Sequence, residues 1–329
     1  MRQAGRYLPN YQALRASCSL LDLFHTPELI AEATLLPFHY LRLDAAILFS
    51  DILVVAEALG AGLQFDDKKG PIIERPVRSR RDIEALTVPS AVEALHYVQR
   101  GISLILPQLS VPLIGFAGAP FTVASYLVEG GSSQQFKTTK KWLMSDPEAF
   151  HSLLEKITAI TIDYLNMQIA AGVHVLQLFD SWANQLAPIQ LREFVFPYLR
   201  KVLEGLSSQK IPTILFCRGS SLFATELAAL SPTAISIDWS GDLGKIRSSL
   251  SPTIALQGNL DPDVLFAPKE LIKRDVHSIL DVMKGDPAYI FNLGHGVQPG
   301  TPLDAVHYLI DLVHGRDDII SRHPLRKNR

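Results

Sequence analysis

The chain has 329 residues, of which 47% are hydrophobic, and its formal net charge is -2. This near-neutral balance excludes binding to nucleic acid or anionic membranes through bulk charge, and the length suffices for a large buried core. Cys18 and Cys217 form no Cys-x-x-Cys pair, and residues 1–15 carry no apolar signal core. We therefore expect neither a disulfide framework nor a cysteine zinc site, and we expect a reducing, cytoplasmic compartment.

Seven short apolar runs recur along the chain, and each ends in small or polar residues before a helical pattern begins. Such nearly continuous apolar runs are typical of strands that are buried on both faces. The predicted strands are 45–49, 111–116, 173–179, 211–216, 234–237, 253–256 and 288–291.

Two segments stand out by their charge: residues 101–128 have none, and residues 66–70 are highly charged. Residues 101–128 carry no charge, but Pro107, Pro112 and Pro120 interrupt them, which favours a buried strand over a membrane helix. Residues 66–70 (DDKKG) predict an exposed turn or hairpin tip. No linker divides the sequence, so we expect one domain over residues 1–329.

The helical segments have recognisable ends. Asp146 and Pro147 suit the start of a helix that Gly172 closes, and Thr301 with Pro302 suits the start of a last helix. Strands that alternate with helices predict an α/β fold, a (β/α)8 barrel of TIM type, whose eighth strand would lie at the N-terminus. A doubly wound open sheet is the rival, although the chain lacks a Gly-x-Gly-x-x-Gly turn.

Two charged groups are candidates for chemistry. Arg2 and Arg6 lie four residues apart, with Arg15 nearby, and guanidinium groups match carboxylates bidentately. A solvated basic N-terminus is the plain alternative. Asp51 lies between apolar neighbours in FSDIL (49–53), where it needs either a donor partner or a role as a helix cap.

Three further polar residues follow predicted strands. Tyr126, after GAPFT (118–122), either donates to a carboxylate or only packs. Ser181 has no adjacent histidine base, so a hydrogen-bonding role fits it better than a nucleophilic one. His295 lies between two glycines, which predicts a functional position, whereas the other nine histidines show no metal-ligand spacing.

Six segments in this order resemble the uroporphyrinogen decarboxylase family. RQAGRYLP and NLGHGV are the most specific, and the resemblance runs from Arg2 to about Gly315. The segments are RQAGRYLP (2–9), FSDIL (49–53), GAPFT with YLVEGG (118–131), LQLFDSWA (176–183), LQGNLDP (256–262) and NLGHGV (292–297).

The resemblance implies a (β/α)8 barrel that works as a homodimer, without metal or prosthetic group, on the tetrapyrrole uroporphyrinogen. It implies that Asp51 accepts the pyrrole N–H groups and that Asp51 and Arg2 are catalytic. The remaining implied contacts are with the substrate's side arms. Those residues are Arg2, Gln3, Ala4, Gly5, Arg6, Tyr126, Ser181 and His295, with Arg15 a weaker candidate.

The chain departs from the family pattern in three places. We expect its N-terminal segment to be shorter than the family's, unless the sequence starts at an internal methionine. Asn184 replaces a common glycine, and Cys217 with Arg218 replaces a small or lysine-bearing pair. Neither internal change is expected to touch the site.

Two other functions remain open. Zinc- and corrinoid-dependent methyltransferases of the same superfamily use a His-x-Cys pair, but Leu215 stands where that histidine would be. The second open function is that of a non-catalytic tetrapyrrole-binding protein.

Overall fold

The computed structural model describes residues 7–66, 69–208 and 210–315. Its central sheet is a curled half-barrel of seven parallel strands, each hydrogen-bonded to the next in chain order, and an antiparallel hairpin stands apart from it. The strands are β1 (Ala46–Ile47), β2 (Leu63–Asp66), β3 (Gly70–Ile73), β4 (Leu113–Gly118), β5 (Val175–Asp180), β6 (Thr213–Cys217), β7 (Ala234–Ser236), β8 (Ala255–Leu260) and β9 (Tyr289–Leu293). The hairpin consists of β2 and β3.

Helices occupy the connections between the strands. The α-helices are α1 (Pro9–Ser17), α2 (Leu20–His25), α3 (Pro27–Leu35), α4 (Val54–Ala58), α5 (Arg80–Ala85), α6 (Ala91–Ala94), α7 (His96–Ile105), α8 (Pro120–Glu129), α9 (Lys137–Ser145), α10 (Pro147–Ala171), α11 (Pro188–Phe194), α12 (Phe196–Glu204), α13 (Ala224–Ala228), α14 (Leu243–Ser249), α15 (Lys269–Val282) and α16 (Leu303–Val313). Short 3-10 helices span Leu36–His39, Leu106–Gln108, Ala183–Gln185, Ser220–Leu222 and Pro262–Phe266.

All seven predicted strands are present, and the α/β barrel-type prediction is confirmed. Because consecutive parallel strands are neighbours, their carboxyl ends meet along one edge of the sheet. The predicted eighth strand falls on residues 1–6, outside the described part of the chain. Of the predicted tip at 66–70, Asp66 ends β2 and pairs with Gly70, which begins β3, while residues 67 and 68 lie outside the described part of the chain.

The predicted helix ends are largely confirmed. The Asp146 side chain accepts from the Ala149 N–H and caps α10, which ends at Gly172 in a left-handed conformation with φ of 101°. The last helix starts one position later than predicted, because Pro302 is its N-cap and Leu303 its first residue. Thr301 instead donates its hydroxyl proton to the carbonyl of Gln298.

Two apolar clusters hold the molecule together. The larger one packs helices such as α10 against the central sheet. The second joins Leu8 and Tyr11 of the N-terminal region to Leu293 of β9 and Leu309 of α16. Full burial of one leucine side chain stabilises the fold by about 1.5–3 kcal/mol, so this cluster fixes α1 beside the carboxyl ends of the strands.

Residues 101–128 do not form one long helix. They contain the end of α7, a 3-10 turn, β4 and most of α8. Within the described ranges, none of the helices combines the length and the apolar character that a membrane span needs.

Candidate active site

A cleft of about 590 Å³ lies where the carboxyl ends of the strands meet. Asp51, Tyr126, Ser181 and His295 all line it, although they follow four different strands, β1, β4, β5 and β9. The remaining lining residues are Tyr11, Gln12, Arg15, Leu20, Ile52, Leu53, Phe65, Asp66, Gly70, Pro71, Ser132, Trp182 and Arg218. The structure thus brings together every predicted site residue that it describes.

Asp51 lies between β1 and α4, and the turn that holds it is tightly packed. Its Oδ1 atom accepts a hydrogen bond of 2.9 Å from the Leu53 N–H, which orients the carboxylate. A Cβ atom on Gly118 would lie 2.8 Å from the Ile52 carbonyl oxygen. The glycine of GAPFT is therefore needed so that β4 can pack directly against this turn.

Ser181 is held in place by a buried carboxyl group immediately before it. Asp180 accepts a hydrogen bond of 2.6 Å from the Thr122 hydroxyl, and the same hydroxyl accepts from the Trp182 N–H at 3.2 Å. Burial raises the pKa of Asp180 to about 6, and the hydrogen bond from Thr122 acts in the opposite direction. Thr122 thereby connects GAPFT to the Asp-Ser pair.

Tyr126 lies on the inner side of α8 and is 6% exposed. Its ring contacts Trp182 edge to face, with centroids 6.1 Å apart, and Trp182 also packs against Phe136 at 4.6 Å. Aromatic contacts of this kind restrict the rotamers of both rings. The phenol therefore has a fixed position on the cleft wall.

His295 follows β9, and two aromatic edges hold its imidazole. The centroids of Phe216 and Trp239 each lie 5.8 Å from that of His295. A Cβ atom on Gly294 would lie 2.3 Å from the Trp239 backbone nitrogen. The first glycine of NLGHG thus lets two neighbouring loops touch, which explains its position before His295.

Arg15 lies near the end of α1 and donates to the carbonyl of Cys18 at 2.7 Å while lining the cleft. The predicted substrate-binding residues Arg2, Gln3, Ala4, Gly5 and Arg6 lie outside the described residues.

One sequence expectation was wrong. Arg218 was expected not to touch the site, yet it lines the cleft together with Ser181 and His295. The reason is that β6 pairs with β5 in a register that sets Cys217 beside Asp180, so the next residue emerges at the cleft. Its place at a strand end was the available signal. Asp180 and Thr122 were also missed, because their contact joins distant segments.

An inner cavity of about 110 Å³ extends from the cleft into the curl of the sheet. It shares Asp51, Ser181 and His295 with the cleft, and Phe116 and Phe216 form part of its apolar lining. Across the residues that the structure describes, no group of three or more His, Cys, Asp and Glu side chains is arranged to hold a metal ion.

The family model for uroporphyrinogen decarboxylase (URO-D) matches residues 1–316. The uroporphyrinogen decarboxylase of Protochlamydia amoebophila is 53% identical over 316 residues, covering 96% of this chain and 86% of that protein. The corresponding protein of Geobacter metallireducens is 45% identical, covering 95% of this chain and 92% of that protein.

Solved structures show the same fold. A methyltransferase from Methanosarcina mazei matches with a TM-score of 0.76 and 25% identity, over 90% of this chain and 86% of that one. A B12-independent methionine synthase from Shewanella matches with a TM-score of 0.56 and 12% identity, over 90% of this chain and 87% of that one. On the family match and the identity to its relatives, the chain belongs to the uroporphyrinogen decarboxylase family.

Proposed function

We propose that this protein decarboxylates uroporphyrinogen III, converting its four acetate arms to methyl groups and yielding coproporphyrinogen III and CO2 in heme biosynthesis. The observation that carries the proposal is the carboxylate of Asp51 in a cleft of about 590 Å³, with Tyr126, Ser181 and His295 on the same walls. Family membership supports the same activity.

Asp51 is the acceptor for the pyrrole N–H groups. The macrocycle presents four such donors around its centre, and an ionised carboxylate is the strongest side-chain acceptor for them. The Leu53 N–H already binds Oδ1 of Asp51, so the carboxylate does not need to reorganise when substrate arrives. Preorganised charge of this kind stabilises a cationic intermediate more strongly than water does.

The substrate itself supplies the electron sink. A proton adds to the pyrrole α-carbon next to the carbon that bears the acetate arm, and the ring becomes a conjugated cation whose N–H group faces Asp51. The bond between the arm's methylene and its carboxylate then breaks, CO2 leaves, and the electron pair neutralises the ring. A proton added to the exocyclic carbon gives the methyl group, and the ring carbon loses its proton. The net change is one proton taken up and one CO2 released for each arm.

The walls bind the substrate's carboxylate arms. Tyr126 and Ser181 carry hydroxyl donors, and His295 donates from an imidazole N–H. Arg2, Gln3, Ala4, Gly5 and Arg6 complete the arm-binding set by resemblance, with Arg15 beside them on the cleft. Arg2 is the proposed second catalytic residue, where its planar guanidinium holds the reacting acetate arm in position. A guanidinium stays protonated at any working pH, so it is a weak general acid and its proposed role is to orient the arm.

The methyltransferase alternative has weaker support, despite the fold match. Leu215 occupies the position of the expected zinc-binding histidine, two residues before Cys217. Burial raises the pKa of the Cys217 thiol, and the neighbouring Asp180 raises it further. A thiol of that kind resists the deprotonation that zinc binding requires.

We also infer a homodimer in the cytoplasm. Three large apolar side chains lie exposed in segments that follow β5, β6 and β8: Ile189, Leu222 and Phe266 are 72%, 87% and 51% exposed. Contact with a second copy of the chain would remove such apolar surface from water. Cys18 and Cys217 are both free thiols, which fits a reducing compartment. Light scattering on the parent and on Leu222→Glu tests the dimer, since the variant should be monomeric.

The test of the activity is anaerobic incubation with uroporphyrinogen III, followed by chromatography of the oxidised products. Hepta-, hexa-, penta- and tetracarboxylate porphyrins should appear in turn. A non-catalytic binding protein would bind the substrate and release none of them. Stoichiometric zinc in the purified protein, together with no decarboxylation, would favour the methyltransferase.

A further inference from the structure

A second cavity of about 360 Å³ adjoins the cleft and shares Arg218 and His295 with it. Trp239, which follows β7, forms another part of its wall. Segment 261–263, which begins just after β8, and segment 295–299, which follows β9, supply the rest. We call this cavity the side lobe. Arg218 therefore lies at the junction of the cleft and the side lobe.

The backbone and the guanidinium of Arg218 each make a contact that fixes its position. Its backbone N–H donates to the carbonyl of Asp180 at 2.9 Å, which fixes the residue at the carboxyl end of β6. Its guanidinium carbon lies 5.9 Å from the centroid of the Trp239 ring. Trp239 in turn contacts His295 with ring planes 88° apart. A guanidinium on an aromatic face keeps the N–H edge of its plane available for a planar anion.

Positive charge is scarce on the described part of the cleft wall. Arg15 and Arg218 are the two arginines there, and no lysine joins them. Among the described residues, no carboxylate forms an ion pair with Arg218. A half-buried cation without a counter-ion is costly, so an anionic ligand at this point would be favoured.

Two carboxylates in the lining of the side lobe oppose the entry of such a ligand. Asp261 and Asp263 both line the side lobe. The Asp261 carboxylate accepts from the Asp263 N–H at 2.9 Å, and the Asp263 carboxylate accepts from the Gln298 amide at 2.8 Å. These two negative charges would repel an anion that passed Arg218. An anionic group entering from the cleft is therefore held at the junction.

We propose that Arg218, whose guanidinium lies over the Trp239 ring, binds a carboxylate arm of the tetrapyrrole at the junction of the cleft and the side lobe. The proposal rests on the proposed function, and it adds a binding residue that the family resemblance did not supply. The acetate and propionate arms both end in a carboxylate. The binding experiment distinguishes which of the two arm types contacts Arg218.

The primary test measures binding, without turnover. Uroporphyrin I carries four acetates and four propionates, coproporphyrin I carries four propionates, and both are stable oxidised probes. Quenching of tryptophan fluorescence gives their Kd for the parent, Arg218→Gln, Arg218→Lys and a control, Arg274→Gln. Arg274 is exposed on α15 and paired with Asp275.

Loss of a charged hydrogen bond should raise the Kd of uroporphyrin for Arg218→Gln by about 10-fold or more. Arg218→Lys should recover part of the affinity, because it keeps the charge and loses the planar fork. The control should bind like the parent. An equal loss for coproporphyrin assigns a propionate to Arg218, and a loss for uroporphyrin alone assigns an acetate.

Kinetics with uroporphyrinogen III provide the second readout. A binding role predicts a raised KM for Arg218→Gln with kcat largely retained. Unchanged Kd values for both probes would overturn the proposal even if the parent enzyme is active. If the parent binds both probes but shows no decarboxylation, the proposed function fails while the Kd comparison still decides the role of Arg218.

Discussion

The hydroxyl of Thr122 donates to Oδ1 of Asp180 over 2.6 Å, which joins α8 to the end of β5 beneath the cleft. The Oδ2 atom of the same carboxyl group is buried and has no hydrogen-bond partner among the described residues. Burying a carboxylate with one oxygen unsatisfied is costly, so the neutral acid is favoured. Asp180 therefore couples the site's geometry to pH.

The first prediction concerns Asp180 and pH. The folded pKa of Asp180 is about 6, above its usual value of 3.8. Its contribution to stability is therefore fully present below pH 3.8 and is lost as the pH rises through 6. Asp180→Asn is neutral throughout, and its Oδ1 still accepts from Thr122. We expect the unfolding free energy of the variant to rise by about 2 kcal/mol relative to the parent between pH 4 and pH 7.

Urea unfolding at several pH values measures this difference, and a difference that stays constant with pH would contradict it. Thr122→Val removes the donor and should cost about 1–3 kcal/mol. Thr161→Val is the matched control. Thr161 is equally buried and its hydroxyl has no partner among the described residues, so its replacement should cost little.

The second prediction concerns Asp51. Asp51→Asn keeps an oxygen that can accept from the Leu53 N–H but loses the negative charge and presents N–H groups to the pyrrole donors. We expect no measurable turnover and near-parental stability. Asp51→Glu keeps the charge one methylene further out and should retain a small fraction of activity, with all four decarboxylations slowed together.

Chromatography after partial reaction provides the measurement. Asp51→Ala is the control for the structural role, since it removes the contact to Leu53 and should cost about 1 kcal/mol of stability. Near-parental turnover of Asp51→Asn, or arrest at one specific intermediate, would leave Asp51 as a turn-capping residue alone.

The third prediction concerns Arg2 and Arg6. Replacing either with alanine should weaken carboxylate binding by about 1.5–3 kcal/mol, and lysine should restore only part of that loss. Arg100→Ala, an exposed arginine on α7, serves as the control. If both alanine variants keep the parent's kcat and KM, the N-terminal arginines do not contact substrate.

The fourth prediction concerns Gly294. Alanine would bring Cβ within 2.3 Å of the Trp239 backbone nitrogen, and backbone atoms cannot rotate away. We expect a loss of about 3 kcal/mol in stability together with reduced activity, because His295 must move. Gly244→Ala on α14, where the nearest atom belongs to a Val282 side chain at 3.1 Å, should cost far less. Thermal melts of the two variants provide the comparison.

The fifth prediction concerns metal ions. The proposed chemistry draws on the substrate's own ring and on the residues of the cleft, so activity should survive prolonged dialysis against EDTA. Loss of activity that a single added metal restores would refute this mechanism. Elemental analysis of the dialysed protein confirms that the chelation was complete.

Strand positions could be predicted from the sequence because buried parallel strands leave continuous apolar runs. The run at 45–49 formed only the two-residue strand β1, because its pairing with β4 is limited to Ala46 with Leu113 and Ile47 with Ile114. The contacts among Thr122, Asp180 and Trp182 could not be predicted. They join segments about 60 residues apart, and local patterns contain no information on such pairs.

Arg218 shows a different kind of failure. Its place at a strand end was visible in the sequence, but its relation to the cleft depends on the register between β5 and β6. Register follows from the packing of both strands, and neither strand determines it alone.

His295 lines the cleft, the side lobe and the inner cavity at once. For ligand design, the cleft, the side lobe and the inner cavity meet at the imidazole of His295. A small apolar fragment in the inner cavity and a carboxylate fragment beside Arg218 would both lie near this ring. A short linker past His295 would join them, and the tethered fragment would bind at the high effective concentration that linkage confers.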